Sequence, residues 1–493
     1  MSFRDSVVDA IADEAEKLAL RHHAYHNAQE LEHQRISRRI ANAPPKVIKL
    51  PAEWANNPKF NPFYVHKHRN AIGRSIAQKI VSQCYHPHPP ILRPIQKPGG
   101  GTRQISVYEI PDNAVSVLFY RTLLRKNRHR FSSSSYAYRD DRNAHFAIQD
   151  ISIDLAEVSR VFVAEYDFSK FFDSISHQYL FDQFSQNGFS ISTRDEHVIR
   201  AFLPPSGQGV PQGTSISLFL ANLVCWRLDR QLEHEGLRFA RYADDTVIWS
   251  PDYSRIVRAA EMIASFSRET GVKINPEKSK GIRLLCPKDM PAEFAKRTDQ
   301  IEFLGYSIGV DRIGVKARSV TAIKRQISYI LYQNLIQPLS GPKLVALEIP
   351  ANGKDRDFMA AMSSIRRYLY GNLSDDYIRR YLAGSSGRLF YKGVMSFYPL
   401  LSDKKQMREL DGWLVNAVWK SLRKRDRLLK KWKYAPTTFP FNVSRSTFAS
   451  QLRAKKIGKQ RLYAIPSFVV IYLALRKAVS EDGVLQLLSK EEY

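Results

Sequence analysis

Three aspartates stand where carboxylates can do chemistry. Asp167 closes the run Arg160-Val-Phe-Val-Ala-Glu-Tyr-Asp167, which is rich in β-branched and aromatic residues and reads as a strand. Asp244 and Asp245 interrupt a second strand-forming run, Leu237 to Ala240 and then Tyr242 to Trp249, at the point where a hairpin should turn. A lone aspartate at a strand end is ordinarily a turn former or a helix cap. Two adjacent ones among strand formers are different, because their charges repel unless cations neutralise them. Magnesium prefers oxygen ligands and accepts one or two protein carboxylates together with substrate phosphates. Two such ions about 3.5 to 4 Å apart stabilise both the attacking and the leaving oxygen of a phosphoryl displacement. Asp167, Asp244 and Asp245 meet that demand if their two strands are neighbours.

The surrounding pattern supplies elements to position them. Residues 1 to about 41 contain no Gly or Pro, and Val7, Val8, Ile11, Ala15 and Leu18 recur at helical spacing among charges. Pro and Asn cluster from Pro44 to Pro62, marking a boundary. From Ile91 an extended segment enters Lys97-Pro-Gly-Gly-Gly-Thr-Arg103 and leaves as Gln-Ile-Ser-Val-Tyr, which predicts a β-hairpin with a flexible basic tip. Beyond Gly309 the pattern is mainly helical. Leu410, Trp413, Leu414, Ala417 and Val418 form one stripe there, and a basic run from Lys420 to Lys433 follows it.

The 493 residues carry a formal charge of +27, far more than solubility needs, so an extended polyanion is the expected partner. The charge is also unevenly placed. From Asp311 onward 34 Lys and Arg face 14 Asp and Glu, so +20 of the +27 lies in that part. No stretch has the roughly 18 to 20 unbroken apolar residues of a spanning helix, and the N-terminus lacks a signal-peptide core. A cytoplasmic protein that does not enter the membrane is therefore expected. Cys84, Cys225 and Cys286 have no paired spacing, which points away from disulfides and zinc ribbons. Cys84, His86 and His88 lie together, but the prolines between and after them force an extended backbone and no fourth ligand is near. His22, His23, His26 and His33 fall in a charged helical pattern and read as solvated.

Five ordered blocks together resemble the reverse transcriptases of bacteria. Tyr242-Ala243-Asp244-Asp245 is similar to their Tyr-Ala-Asp-Asp box, and Asp167-Phe-Ser-Lys-Phe-Phe-Asp173 to their first catalytic block. Lys97 to Arg103 resembles the fingers hairpin, Gly209-Val-Pro-Gln-Gly-Thr-Ser-Ile-Ser217 the Pro-Gln-Gly block, and Lys273-Ile-Asn-Pro-Glu-Lys-Ser-Lys280 the block after the catalytic hairpin. Phe303-Leu-Gly305 resembles the primer grip, and the segments Gly393 to Leu400 and Leu410 to Lys420 a group II intron thumb. The resemblance implies a right-hand polymerase of α/β class, with an antiparallel palm sheet, associated helices and an all-α thumb. The corresponding divisions are a helical extension over 1–55, fingers over 56–155, palm over 156–310 and a basic helical region over 311–493.

The resemblance also assigns roles. Asp167, Asp244 and Asp245 would hold two Mg²⁺ ions, with Mn²⁺ as a substitute, and Phe168 joins both the metal and the nucleotide sets. Phe172 would exclude a 2′-hydroxyl, Lys97 and Arg103 would contact the triphosphate, and Gln212 and Gly213 would approach the nucleotide. Lys278 would protonate the leaving pyrophosphate, with Lys280 as its competitor. In the basic region Arg423, Lys424, Arg425 and Arg427 are the expected phosphate contacts. The implied activity is RNA-directed DNA synthesis from deoxynucleotides. Two rivals are an RNA-dependent RNA polymerase, which shares the paired aspartates, and a catalytically retired palm acting as an RNA-binding scaffold. Ser217-Leu218 stands where group II intron enzymes usually read Ser-Pro, and no Cys- and His-bearing nuclease segment follows the thumb. The Thr-Ser-Ile-Ser-Leu-Phe-Leu-Ala-Asn version looks more like the abortive-infection and phage-defence enzymes. A dedicated structured non-coding RNA, a defence role and self-association through the N-terminal helix are expected on that ground. Retron-like or group II intron-derived enzymes are the alternative.

Overall fold

The computed structural model describes residues 2–37, 43–97, 100–291, 294–340, 350, 354–385 and 387–484. These form two compact units: residues 1–30, 47–147 and 158–298 make the first, and 31–46, 148–157 and 299–493 the second.

In the first unit, the N-terminal part of the helix Phe3–Ser37 places Val7, Ile11 and Ala15 on a buried stripe with Val65, Ala77, Ile110 and Ala114. Gly73 allows the helix Pro62–Val81 to lie close, since a Cβ there would come within 2.6 Å of Val8 Cγ2. The expected hairpin is present as β1 (Ile91–Gln96) and β2 (Thr102–Val107), in register from Ile91↔Val107 to Gln96↔Thr102. Lys97 N–H donates to the Gly101 carbonyl at its tip. Pro98 and Gly99 of the expected tip lie outside the described residues.

The sheet beneath the aspartates has the order β5-β6-β3-β8-β9. Its members are β3 (Val161–Tyr166), β5 (Arg238–Tyr242), β6 (Asp245–Ser250), β8 (Gly281–Leu285) and β9 (Arg297–Thr298). A separate ladder joins β4 (Phe168–Ser169) to β7 (Lys273–Ile274). Four strands of the sheet are antiparallel as expected, but β9 joins β8 in parallel, because the chain loops away between Leu285 and Arg297 before returning in the same direction. The central β3 is buried along nearly its whole length. Its core continues into the helices Ile216–His234 and Tyr253–Thr270 through Leu220, Val224, Leu228, Ile256, Ile263 and Phe266.

The second unit opens with a small antiparallel sheet, β10 (Ile301–Phe303), β11 (Tyr306–Ile308) and β12 (Ile313–Val315). Phe303, Leu304 and Gly305 form the turn of its first hairpin. Helices then dominate, among them Ala317–Leu331, Arg356–Tyr370, Lys404–Lys431 and Phe468–Asp482. Along Lys404–Lys431 the buried stripe is Met407, Leu410, Leu414, Val418, Leu422, Arg425 and Leu429, with Trp413 and Ala417 half-buried at its edge. Arg425 is therefore not a phosphate contact. It falls on the apolar side of the helix, is wholly buried, and is paired with Asp355 (2.9 Å) and Asp357 (3.0 Å). Arg423 is half-buried, with its guanidinium 4.0 Å above the Trp419 ring and a bond to the Val443 carbonyl. Lys424 and Arg427 are exposed. Among the described residues, no helix is long and apolar enough to cross a membrane.

Candidate active site

The sheet brings the two acidic segments side by side. β3 and β6 pair from Phe162↔Ser250 to Tyr166↔Thr246, so Asp167 and Asp245 are the next residues out on strands about 4.8 Å apart. The β5–β6 hairpin pairs Tyr242 with Asp245 and turns through Ala243 and Asp244, with Ala243 in the left-handed region at φ +59°. That conformation is disfavoured for alanine, and a buried arginine holds it. Arg241 Nη1 donates to the Ala243 carbonyl at 3.1 Å. The same guanidinium grips Asp229 through two bonds of 2.7 and 2.5 Å and reaches Ser135 Oγ at 2.7 Å. Burial opposes the Arg241 charge, but the Asp229 carboxylate, its hydrogen bonds and neighbouring Cys225 together outweigh it and keep the guanidinium protonated. Sequence reasoning missed both residues. The available signals were an arginine inside the apolar strand Phe239-Ala-Arg-Tyr and an aspartate on the buried face of the helix Ile216–His234.

Asp167 is 7% exposed and sits in a cradle made by residues 275–279. Asn275 Nδ2 donates to Asp167 Oδ2 at 2.8 Å and Lys278 Nζ to Oδ1 at 3.1 Å. The Asp167 amide donates to Ser279 Oγ, and its carbonyl accepts from the Asn275 amide. Lys280, by contrast, lies 3.6 Å from Glu165. Asn275 and Ser279 belong to a block already noted in the sequence, but their contact with Asp167 needed the fold. Burial pushes the Asp244 carboxyl up, the Asp167 charge pushes it further, and Lys278 and Arg103 oppose the shift. Asp245 is exposed.

The remaining candidates gather unequally. Phe168 is core, with its ring 6.0 Å from Phe171 and 5.4 Å from Phe266, so only its backbone is available to a ligand. Phe172 is half-buried, edge-on to Phe171 at 5.5 Å and to Tyr138 at 6.5 Å. Gln212 donates to Asp173 Oδ1 at 2.9 Å, and its carbonyl accepts from the Ser106 amide of β2 at 2.7 Å. Gly213 has φ +113°, and a Cβ there would meet the Ser106 carbonyl at 2.7 Å. The close approach that requires this glycine is thus to the hairpin backbone. Lys97 and Arg103 are exposed at the hairpin's end.

Among the described residues, no group of three or more His, Cys, Asp or Glu side chains is drawn together tightly enough to hold a metal. The donor chemistry nevertheless suits a hard divalent ion. Asp167, Asp244 and Asp245 offer only oxygen, and the repulsion between Asp167 and Asp244 is what a cation relieves.

Residues 95–308 match the family described as reverse transcriptase (RNA-dependent DNA polymerase). The chain carries a reverse transcriptase domain. This domain spans both candidate acidic segments, the hairpin from the end of β1 onward and the Pro-Gln-Gly block. Among curated proteins, the chain is similar to the Escherichia coli K12 protein YkfC, at 24% identity over 36% of this chain and 50% of YkfC. It is also similar to the retron Ec86 reverse transcriptase of Escherichia coli, at 23% identity over 48% of this chain and 68% of that protein. The match thus covers half the length of YkfC. Among solved structures, telomerase from Candida tropicalis in complex with a fragment of telomeric RNA aligns with a TM-score of 0.39 and 12% identity. That alignment covers 86% of this chain and 69% of the telomerase chain.

Proposed function

We propose that this chain is an RNA-directed DNA polymerase, extending a primer 3′-hydroxyl with deoxynucleotides along an RNA template. The observation that carries this reading is the pairing of β3 with β6, which sets Asp167 beside Asp244 and Asp245 with Lys278 on Asp167. The three aspartates, with the Phe168 backbone, would hold two Mg²⁺ ions or Mn²⁺ in their place. Bound there, the ions supply the neutralisation of charge on the attacking and leaving oxygens. Asn275 fixes the rotamer of Asp167. Lys278 balances its charge in the free site and is placed to give a proton to the departing pyrophosphate. Lys97 and Arg103 bring charge to the triphosphate, and Phe172 closes the sugar side of the site against a 2′-hydroxyl. Primer extension on an RNA template, with dNTPs and NTPs compared, tests the assignment. Extension by NTPs alone would replace it with an RNA polymerase, and no extension by a folded protein would leave a scaffold.

The biological setting we propose is bacterial antiviral defence in the cytoplasm, with a dedicated structured non-coding RNA as template and its DNA copy as product. The support is the abortive-infection-like Thr214-Ser-Ile-Ser-Leu-Phe-Leu-Ala-Asn222 segment. Lys424 and Arg427 are proposed as phosphate contacts, and the N-terminal helix, with Leu20 exposed on it, as a self-association element. Sequencing the co-purifying nucleic acid and plating phage on expressing cells test the setting, and light scattering tests the association. Unchanged plating would remove the defence role.

A further inference from the structure

Six non-glycine residues among those described have a positive φ, and three of them, Tyr138, Lys170 and Ala243, surround the candidate catalytic centre. Lys170 sets the turn into Phe171 and Phe172, and Ala243 the turn before Asp244. Tyr138 has no such assignment. A bulky aromatic residue at φ +58° is disfavoured and persists only where its surroundings fix it. They do so here from three sides. The Tyr120 hydroxyl donates to the Tyr138 carbonyl at 3.0 Å, Asn222 Nδ2 to the preceding Ala137 carbonyl at 2.8 Å, and the following Arg139 to the Ser132 carbonyl at 2.6 Å.

What this conformation achieves is the direction of the ring. Tyr138 meets Phe172 edge-to-face, with centroids 6.5 Å apart and planes at 66°. Its phenol is pushed up to about 12 by burial, with Asp244 and Tyr242 pushing the same way and Arg103 opposing, so it stays protonated beside the catalytic hairpin. Phe172 itself is only half-buried, with Phe171 against another edge of its ring. A ring that is to exclude one hydroxyl must be held in one position, and edge-to-face aromatic contact does this directionally.

We infer that Tyr138 is a positioning residue for sugar selection: its strained backbone aims its ring at Phe172 and holds that side chain across the 2′ side of the nucleotide site. This inference rests on the polymerase reading and adds a residue to it. Weakened support for Phe172 should lower discrimination against ribonucleotides while leaving deoxynucleotide incorporation largely intact.

The test compares wild type, Tyr138→Gly, Tyr138→Phe, Phe172→Ala and a double variant that carries Y138G together with F172A. Each is assayed for kcat/KM with dNTPs and with NTPs, beside a thermal melt. Glycine accepts the positive φ, so Y138G removes the ring without imposing a backbone conflict. The expected result is a fall in the dNTP-to-NTP ratio of about tenfold or more for Y138G, retention of the ratio by Y138F, and no further fall when Y138G is added to F172A. A wild-type ratio in active Y138G, or effects of Y138G and F172A that multiply, would overturn the inference while leaving the polymerase reading intact. Absence of dNTP extension by wild type would overturn both.

Discussion

Among the described residues, each unit of the protein buries one arginine completely, and the two do different work. In the first unit Arg241 grips Asp229 and also reaches Ser135 Oγ and the Ala243 carbonyl, so its network ends on the turn that carries Asp244. In the second unit Arg425 grips Asp355 and Asp357 and reaches the Leu335 carbonyl, fastening the long helix Lys404–Lys431 to the segments beside it. Both guanidiniums are shut away from water, and both are compensated by hydrogen-bonded carboxylates, as a buried charge must be. The difference lies in the third partner. Arg241 bonds a backbone group held in an unfavourable conformation next to the candidate site, whereas Arg425 bonds a carbonyl within a helical turn and the start of the helix Arg356–Tyr370. A buried ion pair therefore says little by itself. What else the arginine touches decides whether it serves function or packing.

The largest expected effect marks the functional end of this comparison. Asp167→Asn should abolish DNA synthesis in primer extension while the melting temperature changes little, because the remaining amide oxygen can still accept from Asn275 and the exposed Lys278 can turn to solvent. Substantial residual extension would remove Asp167 from the mechanism, and with it the reason for regarding Arg241 as a support of the centre.

The two arginines can then be set directly against each other. Arg241→Met and Arg425→Met should each cost at least about 3 to 5 kcal/mol of stability, since the first strands the buried Asp229 carboxylate and the second those of Asp355 and Asp357. Measured well below the melting transition, folded R425M should keep most of its kcat, and folded R241M should lose it as the Ala243–Asp244 turn relaxes. Equal retention of kcat by the two proteins would collapse the distinction.

A smaller effect concerns stability and pH. Asp244 has its folded-state carboxyl pushed above the ordinary range by burial and by Asp167. A raised carboxyl favours folding at low pH, and that contribution disappears as pH rises through the folded value and the group ionises. Asp244→Asn should therefore lose activity yet melt higher than wild type at neutral pH without divalent ions, by about 0.5 to 2 kcal/mol. The gain should shrink as pH falls into the carboxylate range and as Mg²⁺ is added to wild type. A lower melting point for the variant at neutral pH would contradict the charge repulsion.

The smallest effect tests the surface beside Arg425. Replacing Lys424 and Arg427 should reduce the slope of log K against log salt for duplex binding by up to about 2, at roughly 0.9 for each phosphate that is no longer neutralised. R425M should leave the slope unchanged once folded protein is compared. A slope change confined to R425M would restore that residue to the nucleic-acid surface.

The sequence by itself determined where the acidic residues fall in the secondary structure. Asp167 ends a strand and Asp244-Asp245 occupies a hairpin because β-branched and aromatic runs stop there, and both facts are local. The basic hairpin, the N-terminal helix and the stripe of Leu410, Leu414 and Val418 were legible for the same reason, since periodicity is written in adjacent residues. Continuing that stripe by three- and four-residue steps from Val418 through Leu422 reaches Arg425, so its burial was also within reach of the pattern. Charge composition concealed it. Only the tertiary structure decided which partners these residues meet. Asp229 and Arg241, Asn275 and Asp167, Gln212 and Ser106, and Tyr138 and Phe172 come from different elements, and no spacing rule joins them. A long-range contact depends on how strands order within a sheet and how helices pack across it. That order decides which lysine reaches Asp167, why Gly213 must lack a side chain, and which aromatic ring braces Phe172.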